Sequence, residues 1–209
     1  HLDRAAYFSE QIESPENHVI PFLERYLSVN SSLSILEIGC GEGGNLKPFL
    51  DRGCSRVTGV DISPKKIENA HQFLRKEREA GLVNLICSDI YDADLPGTYD
   101  LIISRDVIEH IPDQEQFLQL TKNFLNDNGS LFFAFPPWLM PFGGHQQMCR
   151  NKVLSHLPWI HLLPSFLYRG LLRIGGEKKK KINGLLEIKN TGITTHRFER
   201  ICRNSTIET

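Results

Sequence analysis

The stretch from Ser34 to Gly44 constrains the fold of this chain more than any other. It begins as a short apolar run with β-branched residues, which is the pattern of a buried strand. It ends with four glycines within six positions, at 39, 41, 43 and 44. Glycines at the end of a strand let the backbone turn sharply and approach a ligand closely. A helix is expected to begin near Gly44, with its first amides directed at that ligand. The stretch therefore predicts a strand, a loop and a helix that together bind a cofactor.

Two classes of cofactor fit this spacing of glycines. The first, second and fourth glycines satisfy G-x-G-x-x-G, and Asp61 follows Gly41 by twenty residues, as in dinucleotide-binding proteins. Glu37 argues against a dinucleotide, because the strand of that class is normally apolar at this position. Residues 36–43, Leu-Glu-Ile-Gly-Cys-Gly-Glu-Gly, resemble instead the E/D-x-G-x-G-x-G motif of class I methyltransferases that depend on S-adenosylmethionine (SAM).

A second segment is similar to the same family. Asp100 starts a predicted fourth strand, and the turn after it contains the acidic–histidine pair Glu109-His110. The resemblance covers about residues 17–137. It implies an α/β fold with a doubly wound, mostly parallel sheet, the Rossmann-like methyltransferase fold, with a helical insertion after strand five. It also implies an enzyme that moves a methyl group from SAM to an acceptor by in-line displacement and releases S-adenosylhomocysteine.

The residue pattern predicts a parallel sheet independently of the family resemblance. Short β-branched runs alternate with amphipathic segments, which is typical of parallel strands joined by right-handed helical crossovers. The five predicted strands end near Ile38, Val60, Cys87, Ser104 and Phe135. Ligands bind at the carboxyl ends of such strands. Acidic and small polar residues lie at those ends, so we expect them to meet at one edge of the sheet.

Several of these residues are predicted to bind the cofactor. A carboxylate accepts two hydrogen bonds from a cis-diol, so Asp61 suits a ribose, which NAD and SAM share. Asp89 with Ile90 suits an adenine, with Ile62 on the other ring face; the alternative for Asp89 is a turn cap. The resemblance implies further contacts with the methionine end of SAM. The predicted set is Glu37, Gly39, Cys40, Gly41, Gly43, Asp61, Ile62, Asp89, Ile90, Ser104 and Arg105.

Local signals predict several other elements. A helix is expected from about Asn17 to Val29, and family members often close such a helix over the cofactor. Ser63 and Asp113 are expected to cap helices, and Asn126–Gly129 are expected to form a turn. The candidates for the lid are Tyr7, Phe8 and Gln11, for which packing on the sheet edge is the alternative.

The insertion at 138–191 has a different charge from the rest of the chain. Residues 1–137 hold 12 basic and 21 acidic residues, whereas 138–191 hold 9 and 2, a balance of −9 against +7. The insertion combines an amphipathic helix at 165–174 with the run Lys178–Lys181. We interpret it as a substrate cap for an anionic acceptor with an apolar part, or as a peripheral membrane contact through 157–181. A cap packed on its own core with a solvated lysine loop is the alternative. Nucleic acid is the weaker partner, because no known binding motif accompanies the charge.

Two histidines are candidates for catalysis. His145 follows two glycines close after strand five, where an imidazole could take a proton from an acceptor hydroxyl or amine. His110, in the acidic–histidine pair, is the second candidate. Structural roles are the alternative for both. No metal site is predicted, because the spacing of the histidines and cysteine in the insertion matches no usual zinc motif.

Composition bounds the class of protein. The chain has 209 residues and a formal net charge of −1, which fits one methyltransferase domain, 1–209, that includes the insertion. Its five cysteines form no C-x-x-C pair, which favours reduced thiols and a cytoplasmic location. No run of about 18 apolar residues and no signal peptide is recognisable. Because the chain starts at His1 rather than Met, we expect that it has lost its natural start or carries the remnant of a tag. It stops at Thr209, too soon for the two C-terminal strands usual in the family, so either the protein continues or its sheet lacks that edge.

Three functions remain open from the sequence. The first is a SAM-dependent methyltransferase whose acceptor is a small molecule or a lipid- or saccharide-like metabolite. The second is an NAD-dependent oxidoreductase, which would bind a nicotinamide cofactor. The third is a protein that binds SAM without transferring its methyl group. The oligomeric state and the methylated atom stay undetermined.

Overall fold

The glycine-rich stretch follows the middle strand of a five-stranded sheet within the residues that this computed structural model describes, 4–54 and 56–205. The strands are β1 (Ser34–Ile38), β2 (Arg56–Asp61), β3 (Val83–Cys87), β4 (Tyr99–Arg105) and β5 (Leu125–Ala134). Their order across the sheet is β3-β2-β1-β4-β5. β1 lies parallel to β2 and β4, and β2 lies parallel to β3. The predicted α/β fold with a Rossmann-like parallel sheet is confirmed.

The described residues divide into two compact units. The first unit contains the chain up to Arg105 and Leu120–Phe133. The second unit contains Asp106–Gln119 and the chain from Ala134 onward. The predicted insertion, residues 138–191, lies entirely in the second unit. Its role as a substrate cap within a single domain stays a prediction.

The central strands form because their side chains are apolar on both faces. β1 is buried along its whole length, and Leu101, Ile102 and Ile103 of the neighbouring β4 are also buried. Such runs suit a parallel sheet that helices cover on both sides. The carboxylate of Asp100 accepts hydrogen bonds from the amide and the hydroxyl of Ser34, at 2.9 and 2.6 Å. These bonds lower the pKa of Asp100 and anchor the start of β4 to β1.

The N-terminal helix differs from the prediction. Helix α1 (Arg4–Ser14) continues through a π-helical segment (Pro15–Val19) into α2 (Ile20–Leu23). Pro15 has no amide hydrogen, and the wider π turn tolerates the missing helical hydrogen bond. The helix ends at Leu23 rather than Val29, and Leu27 and Val29 pack on the core of the first unit beyond its end.

Short helices connect the strands, and one of the two predicted caps is observed. A 3₁₀ turn (Gly44–Leu46) leads into α3 (Lys47–Asp51), and the further helices are α4 (Pro64–Phe73), α5 (Arg75–Glu79) and α6 (Gln114–Asn123). Asp113 caps α6 by accepting a hydrogen bond from the amide of Gln116 at 2.9 Å. Ser63 precedes α4, but its side chain caps no amide among the described residues. That prediction is wrong; the contact observed at Ser63 is its own amide, which donates to Asp61 at 2.8 Å.

β5 begins earlier than the sequence predicts. Asn126–Gly129, which were expected to form a turn, belong to the strand. The amide of Tyr99 donates to the carbonyl of Phe124 at 2.8 Å, and the side chain of Asn126 donates to Asp100. The predicted turn is wrong because pairing with β4 outweighs the local preference of Asn and Gly for turns.

Helices dominate the second unit. They include α7 (Lys152–His156), α8 (Ser165–Ile174), α9 (Lys179–Thr191) and α10 (Thr195–Asn204). α8 is amphipathic, as predicted, and buries Tyr168 and Leu172 in an apolar core that belongs to this unit. Lys178 is the N-cap of α9 and Lys179–Lys181 lie in its first turn, rather than in a solvated loop. Among the described residues, no helix combines the length and the apolar character needed to cross a bilayer.

Candidate functional site

The glycine loop has a backbone that other residues adopt with difficulty. Gly39, Gly41 and Gly43 have φ angles of +80°, +58° and +82°. The amides of Gly39 and Cys40 donate to the carbonyl of Val60 at 2.7 and 3.0 Å. These bonds hold the loop against the end of β2, next to Asp61.

Asp61 is nearly buried and holds the glycine loop directly. Its Oδ2 accepts a hydrogen bond from the amide of Gly41 at 2.9 Å, and its Oδ1 accepts the bond from Ser63. Lys66 Nζ lies 3.6 Å from Oδ2. The carboxylate therefore faces the loop at the carboxyl end of β2, where the sequence predicts it.

Glu37 is buried inside β1, with 1% of its surface exposed. Its Oε1 accepts a hydrogen bond from Nδ2 of Asn45 at 2.8 Å, whereas Oε2 accepts none from any described residue. Burial raises the pKa of Glu37 to about 7, against the opposing effect of the bond from Asn45. An unpaired oxygen in the interior is unfavourable, so Glu37 is suited to a donor on a ligand.

Arg105 extends the network of Glu37. Its guanidinium donates to Oδ1 of Asn45 at 3.1 Å and to the hydroxyl of Ser14 in α1 at 2.8 Å. Ser104 is buried at the end of β4, and its hydroxyl has no hydrogen-bond partner within the described part of the chain. Sequence reasoning missed Asn45, which joins Glu37 to Arg105. Its place directly after the glycines is the signal that would have identified it.

The residues predicted to bind adenine lie after β2 and β3. Ile90 is buried, Asp89 is half-buried and Ile62 is 69% exposed. Oδ1 of Asp89 accepts a hydrogen bond from the amide of Tyr91 at 3.1 Å, which is the turn-capping alternative. The side chain of Ile62 leaves an apolar surface exposed to solvent. Adenine binding by these residues stays a prediction.

Cys40 turns its side chain away from the loop surface. It is fully buried, and burial raises the pKa of its thiol well above the usual value. The thiol fills the space beside Gly59, where an added Cβ would lie 2.8 Å from Sγ. The backbone of Cys40 is therefore the part suited to a cofactor contact.

Helix α1 packs directly on the glycine loop. A Cβ at Gly44 would lie 2.5 Å from Cβ of Gln11 and 2.9 Å from the carbonyl oxygen of Phe8. A Cβ at Gly41 would lie 3.7 Å from Nε2 of Gln11. Phe8 also stacks on Phe73 of α4, with ring centroids 4.6 Å apart. Two of the predicted lid residues therefore border the loop.

A second group of titratable side chains lies in the second unit. Glu109, in the 3₁₀ turn Ile108–His110, is 1% exposed. Its Oε1 lies 3.4 Å from Nε2 of His145 and 3.9 Å from Nε2 of His110. Neither carboxylate oxygen accepts a hydrogen bond from a residue that the structure describes. The structure thus brings both candidate catalytic histidines to Glu109, which sequence reasoning did not assign to the site.

Close packing positions His145. Its backbone is left-handed, with φ +56°, which is uncommon for a residue other than glycine. A Cβ at Gly144 would lie 2.2 Å from Cβ of His161, and one at Gly143 would lie 2.4 Å from the carbonyl oxygen of Pro137. The two glycines before His145 are therefore required by the packing of this loop.

A cleft of about 620 Å³ opens in the second unit. His110 forms part of its wall, and α9 contributes much of the remainder. Its other lining residues include four cations, two carboxylates and apolar side chains: Arg150, Lys178, Lys180 and Lys181, then Glu177 and Glu187, then Met148 and Leu185, so cations outnumber carboxylates. A cleft with these walls suits an anion that carries an apolar part.

Comparison with known families decides the class of this chain. Residues 8–180, more than half of the sequence, match the family described as a methyltransferase domain. The chain belongs to this methyltransferase family. The matched range includes the glycine loop, Asp61 and the Glu109-His110 pair.

Methyltransferases are also found among its relatives. The chain is 28% identical over 120 residues to a ubiquinone biosynthesis O-methyltransferase of Chromobacterium violaceum, covering 55% of this chain and 49% of the relative. It is 34% identical over 109 residues to a malonyl-acyl-carrier protein O-methyltransferase of Acetivibrio thermocellus, covering 52% and 37%. The chain spans about half the length, or less, of the curated relatives it matches.

Solved methyltransferase structures share the fold. A plantazolicin methyltransferase, in complex with a triazolic desmethylPZN analogue and S-adenosylhomocysteine, is 18% identical with a TM-score of 0.58, covering 96% of this chain and 69% of the other. The magnesium protoporphyrin IX methyltransferase of Synechocystis, with bound SAM, is 24% identical with a TM-score of 0.51, covering 61% and 60%. At these identities the likeness concerns the fold alone.

Proposed function

We propose that this methyltransferase-family chain transfers a methyl group from SAM to an anionic acceptor that carries an apolar part. The observation that carries the proposal is the meeting of the glycine loop, Asp61 and the partly unpaired Glu37 at one edge of the sheet. When bound, SAM supplies a methyl group on a sulfonium. An acceptor nucleophile attacks the methyl carbon in line, and S-adenosylhomocysteine is the leaving group. The task of the chain is to align the reactants and to exclude water.

The residues of the first unit fit SAM. A carboxylate has about four acceptor positions, so Asp61, whose two oxygens each accept from one backbone amide, can still accept from a ribose diol. The unpaired Oε2 of Glu37 suits the ammonium group of the methionine portion, which would also favour the ionised carboxylate. Asp89, Ile90 and the exposed Ile62 are the proposed adenine contacts.

His145 is the first proposed general base and His110 the second. The carboxylate of Glu109, 3.4 Å from Nε2 of His145, would orient the imidazole and stabilise the imidazolium that forms when it takes a proton. A base is needed when the nucleophile is a hydroxyl, which is weakly nucleophilic until it loses its proton. The O-methyltransferase names of the curated relatives support an oxygen nucleophile.

The cleft of the second unit supports the choice of an anionic acceptor. Arg150 and the lysines at the start of α9 line it together with apolar side chains. Lysines are unfavourable at the positive end of a helix dipole, and a bound anion would offset that repulsion. The names of the curated relatives, from ubiquinone biosynthesis and the malonyl-acyl-carrier protein reaction, support a small or carrier-bound acceptor.

Calorimetric titration with SAM, S-adenosylhomocysteine and NAD in parallel tests the proposal. We expect SAM and S-adenosylhomocysteine to bind and NAD to give no binding heat. Asp61→Ala should weaken SAM binding at least about tenfold, because charge-assisted hydrogen bonds are worth about 1.5–3 kcal/mol. Asp94→Ala, at an exposed aspartate, is the matched control and should leave the affinity unchanged. Binding of NAD alone would favour an oxidoreductase, and SAM binding without transfer to any acceptor would favour a non-catalytic protein.

A second candidate function is contact with an anionic membrane surface through residues 157–181. Trp159, Phe166, Leu167 and Ile174 are large, apolar and exposed. Arg169, Arg173 and the lysines of α9 share this part of the chain. Exposed apolar side chains among basic ones favour a lipid interface. All five cysteines are free thiols, which supports a cytoplasmic location.

Co-sedimentation with vesicles tests the membrane contact. Vesicles that contain phosphatidylserine should bind the protein, and vesicles of phosphatidylcholine alone should bind it weakly. Phe166→Ser with Ile174→Ser should reduce that binding, whereas Tyr26→Ser, at an exposed aromatic residue of the first unit, should not. Equal binding by all three proteins would rule out the surface.

A further inference from the structure

We propose that Glu109, His110 and His145 form a binding site for a divalent transition-metal cation, with zinc as the best match. The spacing of these residues in the sequence matches no usual zinc motif. The site forms where the 3₁₀ turn Ile108–His110 lies next to the loop that contains His145. The binding itself does not depend on the proposed methyl transfer, although its catalytic role rests on that function.

The spacing of the three donors fits a small cation. One ligand atom from each side chain lies within 4.8 Å of the other two. Zinc binds nitrogen and oxygen at about 2.0–2.2 Å, which places two ligands of a tetrahedral site roughly 3.4 Å apart. The distance from Oε1 of Glu109 to Nε2 of His145 is 3.4 Å, and that to Nε2 of His110 is 3.9 Å. Small rotations of the exposed His110 side chain would complete the set.

The unpaired carboxylate is an independent sign of a missing partner. Glu109 is buried, yet neither of its oxygens accepts a hydrogen bond from any residue in the described ranges. Nε2 of His145 is buried too and makes no hydrogen bond within the same ranges. At 3.4 Å the two groups are farther apart than hydrogen-bonded N and O atoms, which lie at about 2.7–3.2 Å. A cation between them would bind Oε1 of Glu109 and Nε2 of His145, whereas the bare carboxylate is unfavourable.

The backbone holds these donors in place. The carbonyl of Glu109 accepts a hydrogen bond from the hydroxyl of Thr191 at 2.5 Å, and the carbonyl of Ile108 accepts one from Gln114 at 3.2 Å. The left-handed backbone of His145 is fixed by the packed glycines before it. A site held by such supporting contacts loses little freedom when a metal binds.

The chemistry of the donors selects the cation. Two imidazoles and one carboxylate suit zinc, and also iron(II), better than the all-oxygen sites that magnesium or calcium prefer. Three protein ligands leave a fourth position open, as in catalytic zinc sites. His110 also lines the cleft of the second unit, so an acceptor bound in the cleft would lie beside one ligand of the proposed site.

A cation at this position would change how the acceptor loses its proton. A metal lowers the pKa of a coordinated hydroxyl, so the proton can leave to solvent without a protein base. The two imidazoles would then act as ligands, and the oxygen would remain the nucleophile that forms the new bond to the methyl carbon. With no cation bound, His145 keeps the role of base.

Metal titration of the full chain tests the site. Protein treated with a chelator and then dialysed is titrated with Zn²⁺ by calorimetry, and a parallel sample is titrated with Co²⁺ and followed by visible absorption. We expect one equivalent of Zn²⁺ to bind and Co²⁺ to give the intense bands of a four-coordinate ion. Glu109→Gln and His145→Asn should each weaken binding at least about tenfold, because even residues that only support metal ligands contribute 10–100-fold.

The variants are chosen so that a loss of folding is not mistaken for a loss of Zn²⁺ binding. Gln matches the shape of Glu109, and Asn tolerates the left-handed backbone of His145. His156→Ala removes an exposed histidine outside the cluster and should bind Zn²⁺ like the unchanged chain. Thermal unfolding with and without Zn²⁺ gives a second reading, since the ion should raise the melting temperature of the unchanged chain but not of Glu109→Gln.

Two results would overturn the site. They are the absence of stoichiometric Zn²⁺ binding, and binding that Glu109→Gln and His145→Asn leave unchanged. SAM titrated into the same samples separates this proposal from the proposed function. SAM binding and methyl transfer without Zn²⁺ binding would refute the metal site alone, and Zn²⁺ binding without SAM binding would refute the methyltransferase proposal alone.

Discussion

The glycine-loop site of the first unit and the Glu109 cluster of the second unit hold buried carboxylates in opposite ways. Asp61 accepts hydrogen bonds from two backbone amides, and one oxygen of Glu37 accepts from Asn45, eight positions away. Glu109 accepts none from any described residue, and its neighbour His145 lies thirty-six positions along the chain. A carboxylate that accepts hydrogen bonds from amides is stable as it stands. One without such bonds is stable in the interior only when a cation or an imidazolium lies beside it.

This contrast predicts the largest effect at His145. His145→Asn should lower the rate of methyl transfer by about 10²–10⁴, which is the usual contribution of general acid–base catalysis, and should leave the affinity for SAM unchanged. The rate is measured as transfer of label from SAM to an acceptor found by screening anionic compounds. His156→Ala is the control and should keep the full rate. An equal loss of SAM affinity would mean that the two sites do not act separately.

The second prediction concerns Glu37 and pH. Because burial raises the pKa of Glu37 from the ordinary 4.5 to about 7, the folded chain binds more protons than the unfolded chain between these values. Stability should therefore fall as the pH rises from 4.5 through 7, by about 3 kcal/mol in total. Urea unfolding without SAM at pH 5.5 and at pH 8 measures this loss.

Glu37→Gln should remove most of that dependence, because it cannot ionise. Glu10→Gln, at an exposed position of α1, should retain it. SAM should bind the unchanged chain more tightly at pH 8 than at pH 6, since its ammonium favours the ionised carboxylate. A pH dependence that is identical in all three proteins would show that the unpaired oxygen of Glu37 has no energetic consequence.

A third prediction separates backbone strain from contact in the glycine loop. Gly43 and Gly53 have φ angles of +82° and +80°, but a Cβ at Gly43 would meet Leu74 Cδ1 at 2.7 Å, whereas one at Gly53 would meet no described atom within 4 Å. Gly53→Ala should lower the free energy of unfolding by about 1–2 kcal/mol, from the strain alone. Gly43→Ala should lower it further and also weaken SAM binding. Equal losses would mean that Leu74 moves aside easily.

The smallest effect is expected at Thr191. Thr191→Val removes the hydroxyl that donates to the carbonyl of Glu109, which should lower stability by about 1 kcal/mol. It should also weaken Zn²⁺ binding, because the 3₁₀ turn Ile108–His110, which carries two of the proposed ligands, loses a supporting hydrogen bond. Thr195→Val, at an exposed position, is the control and should change neither measurement. A loss of stability without any change in Zn²⁺ affinity would mean that Thr191 stabilises the fold but does not support the metal site.

Sequence reasoning located the parts of the molecule whose contacts are local. The strands, the amphipathic α8, the cap at Asp113 and the left-handed glycines all follow from patterns within about ten residues. It erred where distant partners decide the outcome. Asn126–Gly129 joined β5 because β4 was available to pair with them, and α1 extended to Arg4 because it packs on the glycine loop.

The sequence by itself therefore determined the family, the parallel sheet and the position of the glycine loop with Asp61. Each of these depends on residue types at short, regular spacing, which local geometry converts directly into structure. Only the tertiary structure brought Glu109 to His145, joined Glu37 to Arg105 through Asn45 and left oxygens of the buried Glu37 and Glu109 carboxylates without a hydrogen-bond partner among the described residues. Those features depend on which distant side chains meet and which polar atoms lose contact with water. Residue spacing along the chain shows neither which distant side chains meet nor which polar atoms are buried, because both depend on how the whole chain packs.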